Sequence, residues 1–348
     1  MNNEQVPPQP NSIDLTLIAA CLFVIATILL AVALSYTRTI MIPFILALFL
    51  SYFIYPLVEL LKKHAKFPHW LAVLSSLSCF GLFIIAFVLV VRGSVMKLMD
   101  SFYFYEEKLY RLTESATTFA ARFGYSLDQQ TILNSIKELP MFSYLQSAAG
   151  TAVTFSMNFM LILIFLIFLV SGKTTQSPKK ENSSGLVEEI DQKIRSYILT
   201  KVTTSFITGF LIWIILGMFN LELSLMFGVL AFFLNFIPTL GSIIATLLPL
   251  PIALMQYEYQ WKTLAVLLIP AFVQLLIGNV LEPKLLGRGL DLHPITILLS
   301  LMFWGLIWGL GGMFLAVPIT AVLKIILQRI ALTKGVSEML AGRISLHH

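Results

Sequence analysis

Two clusters of polar residues in this chain could do chemistry. The first is GNVLEPKLLGRGLDLHP (Gly278 to Pro294), which sets Glu282, Lys284, Arg288 and Asp291 between two long apolar tracts in a chain only 12% charged. An acid at the edge of an apolar span is a candidate proton or cation carrier, because ionisable groups at membrane depth are expensive and tend to mark transport paths. Glu282 is the one acid that lies within a residue or two of an apolar span and also faces a helix break. The four charges balance in sign and can pair locally, which lowers the penalty of dipping into lipid. Pro283 and the Gly278-Asn279 pair read as the end of a helix. Gly287 and Gly289 read as a supple link, and His293-Pro294 as the start of the next tract. The alternative is a solvated loop whose charges simply stop the helices.

The second cluster is NFIPTLGS (Asn235 to Ser242), in the middle of an apolar tract. Pro238 cannot donate to the carbonyl of Leu234, and Gly241 lets the chain turn where a Cβ would clash. Backbone carbonyls freed in lipid cost several kcal/mol each unless water, a cation, a substrate or a side chain meets them. Asn235 stands one turn before the break with both a donor and an acceptor, and Thr239 and Ser242 add hydroxyls. This makes an ion or polar-solute site. The alternative is that Asn235 and Ser242 cap the broken helices within a packed bundle.

These groups must be positioned by helices in lipid. The chain is 58% hydrophobic over 348 residues, with a mean hydropathy of +0.88. An ordinary soluble domain is about a quarter charged. The sequence pI of about 9.1 could point to nucleic acid, but Lys and Arg lie in short runs flanking apolar tracts, which fits charge sorting across a bilayer. No nucleic-acid partner is expected. Uncharged runs long enough to span once are Leu15 to Thr37, Thr39 to Val58, His69 to Val91, Met141 to Gly172, Val202 to Leu221 and Thr263 to Leu281. Leu223 to Tyr257 and Leu292 to Leu323 are too long for single spans. Each carries breakers in its middle, NFIPTLGS in one and WGLIWGLGG (Trp304 to Gly312) in the other. Both read as two half-helices around a break. LGSIIATLLP (Leu240 to Pro249) and LGGMFLAVP (Leu310 to Pro318) also resemble each other weakly, as broken-helix repeats of transporters do.

The stripe Leu98, Phe102, Tyr105, Leu109, Leu112, Ala116, Phe119, Phe123 has heptad spacing and makes an amphipathic helical insert. GKTTQSPKKENSSG (Gly172 to Gly185) is a loose linker. After it, Leu186, Val187, Ile190, Ile194 and Tyr197 form a second stripe leading into the fifth span. The N-terminal segment lacks the basic start of a signal peptide, so the first tract is expected to be a retained anchor. Cys21 and Cys79 lie in apolar tracts and read as packing thiols. No HExxH, GxSxG, Walker lysine loop or CxxC occurs and the five His residues show no ligand spacing, so neither an enzyme, a metal, a cofactor nor ATP-driven pumping is expected.

FGVLAFFLNFIPTLGSIIATLLP (Phe227 to Pro249), GNVLEPKLLGRGLDLHPITILLSL (Gly278 to Leu301), GGMFLAVPITAVLK (Gly311 to Lys324) and IPFILALFLSYFIYPLVELL (Ile42 to Leu61) resemble the autoinducer-2 exporter-like family of bacterial membrane permeases. The resemblance covers nearly the whole chain. It implies an inner-membrane secondary transporter with about eight hydrophobic segments, with members linked to export of the furanone autoinducer-2 and others to sodium–proton exchange. It also implies a homo-oligomer, a pentamer among the options. The positions that match its motifs are Asn235, Pro238, Gly241, Asn279, Glu282, Pro283, Lys284, His293 and Pro294.

The expectation is therefore an all-α polytopic membrane protein with two broken or re-entrant hairpins and an amphipathic extramembrane insert. Its parts are a cytoplasmic tail (1–14), three transmembrane helices (15–95) and a periplasmic-side insert (96–147). A transmembrane helix (148–171), a cytoplasmic linker with an amphipathic helix (172–200), the broken-helix region (201–330) and a cytoplasmic tail (331–348) follow. Both termini fall in the cytoplasm when most Lys and Arg are placed inside. The partners expected are the lipid bilayer and a small polar solute or a monovalent cation or proton. Solute or ion contacts are assigned to Asn235, Pro238, Thr239, Gly241, Ser242, Asn279, Glu282, Lys284, Arg288 and His293. An oligomeric channel-like pore and a non-transporting structural protein are the alternatives.

Overall fold

The computed structural model describes residues 12–100, 117, 121, 158–172, 185–257, 260–286, 290–330 and 333–342. Almost all of the insert expected at 96–147, most of the linker after Gly172, and Arg288 lie outside the described residues. Among those described, every regular element is a helix, as the apolar runs predict for a membrane protein. In chain order these are α1 (Ser12–Tyr36), α2 (Arg38–His64), α3 (His69–Asp100), α4 (Asn158–Gly172) and α5 (Gly185–Met218). They are followed by α6 (Ser224–Leu234), α7 (Leu240–Leu247), α8 (Leu250–Gln256), α9 (Gln260–Leu276), α10 (Glu282–Leu286), α11 (Pro294–Arg329) and α12 (Lys334–Leu340).

The longest straight member is α5. At 1.5 Å per residue it is about 50 Å long, more than the roughly 30 Å hydrocarbon layer. Its first half carries the stripe anticipated from Ile190, Ile194 and Tyr197, which packs with Leu290, Val317 and Ala321. At this end Tyr52 of α2 donates to Asp191 at 2.8 Å, and Arg329 of α11 pairs with Glu189 at 3.0 Å. Its second half crosses α6 where Gly209 and Gly228 meet. A Cβ on Gly209 would lie 2.6 Å from the Gly228 carbonyl oxygen, so the two backbones touch, as small residues permit in membrane helix pairs.

Both overlong tracts fold back on themselves. The first begins and ends at the Met218 end of α5. Gln256 donates to the Asn220 carbonyl (2.6 Å) and accepts from the Glu222 amide (2.8 Å), and Tyr257 donates to the Phe219 carbonyl (2.9 Å). Its tip is the break between α6 and α7, and a second, milder break separates α7 from α8 at Pro249. The second tract, α11, is long enough to count as one span, yet Trp304 donates to Thr320 at 3.3 Å. Sixteen residues of straight helix would part these groups by about 24 Å. The chain reverses at Gly309, whose φ of 62° and ψ of −142° are open essentially to glycine alone. This tract starts and ends near Leu290, which lies against the Ile194 end of α5. The two hairpins therefore enter from opposite ends of α5, and they meet. Phe236 at the first tip stacks on Phe314 of the second, with centroids 4.6 Å apart and planes at 24°. Ile237 packs with Leu301, Trp304 and Trp308.

The weak repeat has a physical counterpart. A Cβ on Gly241 would run into the Leu234 carbonyl, and one on Gly312 into the Trp304 carbonyl. In each hairpin a glycine just past the turn lets the returning strand of helix touch the outgoing one.

Several expectations are corrected. Gly278 and Asn279 do not end a helix, and Pro283 does not stop one. α9 runs into a π-helical turn, Ile277–Leu281, and on through α10. The wider i→i+5 bonding, with the Glu282 amide reaching the Ile277 carbonyl, absorbs the proline and keeps the rod continuous. α2 likewise runs through Pro43 and Pro56. Cys21 and Cys79 are exposed on outward faces and are not packing thiols. Within the C-terminal segment, α12 docks on the start of α11. There the Leu340 carbonyl accepts from the His293 amide (3.1 Å) and the Thr296 hydroxyl (3.0 Å), and Ser337 donates to the Lys324 carbonyl (3.2 Å).

Candidate functional site at the first hairpin tip

The stripe that buries Ile194, Tyr197 and Ile198 continues at helical spacing through Lys201, Thr204, Ser205 and Thr208, all buried. A lysine thus enters the bundle on the face that meets the first hairpin. Its ammonium lies 2.6 Å from Glu282 Oε1, with the two side chains 5% and 17% exposed. It also donates to the Asn235 carbonyl at 3.3 Å. The Asn235 amide in turn donates to Ser205 Oγ at 3.1 Å.

The geometry of the break explains why that carbonyl is available. α6 ends at Leu234, and in a continuing helix the Asn235 carbonyl would accept from Thr239. Instead Thr239 has φ 62° and ψ −60°, and the Leu240 amide bonds the Pro238 carbonyl at 2.6 Å. This is a γ-turn of the rare positive-φ hand, strained for a β-branched residue. The Thr239 amide points elsewhere, and Lys201 takes its place at Asn235. The Leu234 carbonyl is met by the Ile237 amide at 2.9 Å. Asn235 occupies the C-cap position of α6, and its side chain reaches across to α5.

The sequence-derived residues divide into three groups. Asn235 and Glu282 are brought together, joined by Lys201. Pro238, Thr239, Gly241 and Ser242 build the tip, with Gly241 in backbone contact and the Ser242 carbonyl accepting from Thr246. The rest stand apart. Asn279 and Lys284 are exposed on the π turn and α10. His293 caps α11 by accepting from the Ile295 amide at 3.3 Å. Among the described residues, Glu282 and Asp291 each find a partner outside their own stretch. Glu282 pairs with Lys201 on α5, and Asp291 pairs with Lys324 on α11 at 2.9 Å. Lys324 also bonds the carbonyls of Leu290 and Asp291.

Sequence reasoning missed Lys201 and Lys324 because each charge was read as a boundary of an apolar run, and Ser205 because its partner Asn235 lies on another helix. The missed signal was periodicity, since Lys201 sits three and four residues past Ile198 and Tyr197. It also missed Gln274 on α9. This residue is 7% exposed, and its buried amide nitrogen has no partner among the described residues. Eight residues of α-helix would turn Gln274 about 80° away from Glu282. The π turn between them, Ile277–Leu281, changes that phase. A surface hollow of about 450 Å³ lies elsewhere, lined by Tyr55, Val58, Glu59, Lys62, Lys63 and His69.

The site therefore offers a buried ion pair, a freed carbonyl, an amide and a hydroxyl at a helix break. A sequence profile described as AI-2E family transporter matches residues 18–332. The chain belongs to the AI-2E transporter family. It is 28% identical to a putative transport protein of Borreliella burgdorferi, over 86% of this chain and 84% of that one. It is 26% identical to the AI-2 transport protein TqsA of Escherichia coli, over 90% of this chain and 93% of that one. A putative transport protein of Haemophilus influenzae is 25% identical over 90% and 94% of the two chains. AI-2E relatives carry transport names rather than enzyme names, and this chain is a multi-pass membrane transport protein.

Proposed function

We propose that the protein is a secondary transporter of a bacterial inner membrane, with both termini cytoplasmic, that exports a small polar solute by alternating access. The kinship with a protein named for AI-2 transport favours an autoinducer-2-like solute. The observation that carries the reading is the convergence of Asn235, the freed Asn235 carbonyl and the Lys201–Glu282 pair at one buried point. Broken helices that enter from opposite ends and meet near mid-depth are how many transporters place a binding site. The outward faces of α1 and α3 are strongly apolar, and they serve lipid or a second copy in a homo-oligomer. Exchange of monovalent cations is the second reading, favoured by the acid at the break.

The test is flux in proteoliposomes of the purified protein under an imposed pH or sodium gradient, screened against candidate solutes. Saturable counterflow without unitary currents supports a carrier; single-channel conductance would instead establish a pore. Flux that persists unchanged with Asn235→Ala and Glu282→Gln combined would refute the site.

A further inference from the structure

We infer that Lys201 is a tethered cation, its ammonium filling the place a free monovalent metal ion would take between Glu282 and the Asn235 carbonyl, so that removing it opens a sodium site. The surroundings are those a hard cation prefers. One ligand is a carboxylate oxygen at 2.6 Å and another a backbone oxygen at 3.3 Å. Asn235 is also the residue that follows the last turn of α6, and a helix C-terminus presents its negative dipole end and unsatisfied carbonyls. Unwound carbonyls and half-helix C-termini are where transporters hold sodium. Here that place is taken by a side chain of the protein itself, 5% exposed.

The same device occurs again in the molecule. Lys324 sets its ammonium on the Asp291 carboxylate and on the carbonyls of Leu290 and Asp291, where the chain bends into the second hairpin. There the carboxylate is 43% exposed, so water competes for it. At Lys201 little water does. The buried pair is neutral overall, which leaves the cluster suited to an uncharged solute with hydrogen-bonding oxygens and closed to sodium. Replacing Lys201 by alanine leaves a buried carboxylate, a freed carbonyl and the volume of a four-carbon stem, which water can enter to complete a cation's shell.

This inference rests on reading the cluster as the transport site, but its test needs no transport. The melting temperature of the purified full-length protein is measured in detergent, with sodium chloride exchanged stepwise for choline chloride at fixed ionic strength. The wild type is expected to melt at the same temperature in both salts. Lys201→Ala, or Lys201→Met if alanine is poorly tolerated, is expected to show a saturable rise of several degrees with sodium, by mass action on the folded state. Adding Glu282→Gln should abolish that rise, and Lys201→Arg should behave as the wild type. A saturable sodium response in the wild type that Glu282→Gln removes would overturn the inference. So would a folded Lys201→Ala without a sodium response, or failure of both Lys201 variants to fold in saturating sodium, which should replace the lost charge. Proteoliposomes inactive towards every solute would sink the transport reading and leave this result standing.

Discussion

Lys201 of α5 and Glu282 of α10 approach to 2.6 Å inside the bundle, at the tip of the first hairpin. A buried pair of this kind is weak evidence for stability. Exchange of both partners for apolar groups of similar volume is often neutral or stabilising by about 1–4 kcal/mol, whereas removal of one partner costs about 3–5 kcal/mol. The pair makes most sense as working machinery that the fold tolerates.

Glu282→Gln is therefore expected to lower stability by about 3–5 kcal/mol, since it strands a buried ammonium. Lys201→Met combined with Glu282→Met should regain most of that loss. Thermal melts of the three proteins in one detergent check it, and equal melting temperatures for the single and double variants would count against a paired, desolvated site.

The second ion pair gives a contrast of magnitude. Asp291 is 43% exposed, so solvent screens its attraction for Lys324, and pairs of that kind are worth about 0–1 kcal/mol. Asp291→Asn should lower the melting temperature much less than Glu282→Gln does. A loss as large as that of Glu282→Gln would show that the 290–296 corner is as dry as the hairpin tip.

Much of this architecture was legible in the sequence, and the reasons are specific. Leu223 to Tyr257 exceeds the reach of one span and has Pro238 and Gly241 at its centre, so a break there follows from length and backbone chemistry. The reversal at Gly309 follows in the same way. Asn235 was legible as a polar residue at a break, and Glu282 as an acid at the edge of an apolar span, although the break expected beside it is a π turn in a continuous rod. Lys201 was not, because a lysine that bounds an apolar run looks like an anchor at the membrane surface. Only the α5 stripe, read through the charge, turns it inward. The π turn was illegible for another reason. Gly278, Asn279 and Pro283 are individually helix enders, and the wider bonding that carries the chain past them depends on tertiary packing.

Steric contact at the two glycines gives a sharp test of the hairpins. Gly241→Ala and Gly312→Ala push a Cβ into the carbonyls of Leu234 and Trp304, and each should cost at least about 1–3 kcal/mol. Gly81→Ala, with nothing within 4 Å of its added Cβ, should change stability by no more than about 0.5 kcal/mol. Circular dichroism melts of the three variants decide it, and indistinguishable melts would mean the helices do not fold back so closely.

The reversal of α11 can also be trapped covalently. An added Cβ on Gly305 would lie 3.1 Å from Met313 Cγ, so the Met313 Cβ is at most one bond length farther away, close to the ~3.5–4.5 Å that a disulfide spans. Eight residues of straight helix would part the two positions by about 12 Å. With Cys21 and Cys79 replaced by serine, Gly305→Cys with Met313→Cys should oxidise to an intramolecular disulfide, seen as a loss of two thiols by mass spectrometry. Two thiols that stay free under mild oxidant would mean a continuous rod.

Gln274 should separate function from stability. Its buried amide nitrogen, unpartnered among the described residues, carries a desolvation penalty of about 1–3 kcal/mol, so Gln274→Leu is expected to leave the melting temperature unchanged or raised while lowering solute flux. A destabilised variant with full flux would assign Gln274 a structural role only.

The most direct measurement is solute flux in proteoliposomes of the Lys201→Met, Glu282→Met protein, made alongside its thermal melt. The account predicts a folded protein, melting near the wild-type temperature, whose flux falls to the level of empty vesicles. A folded double variant that transports at the wild-type rate would contradict it.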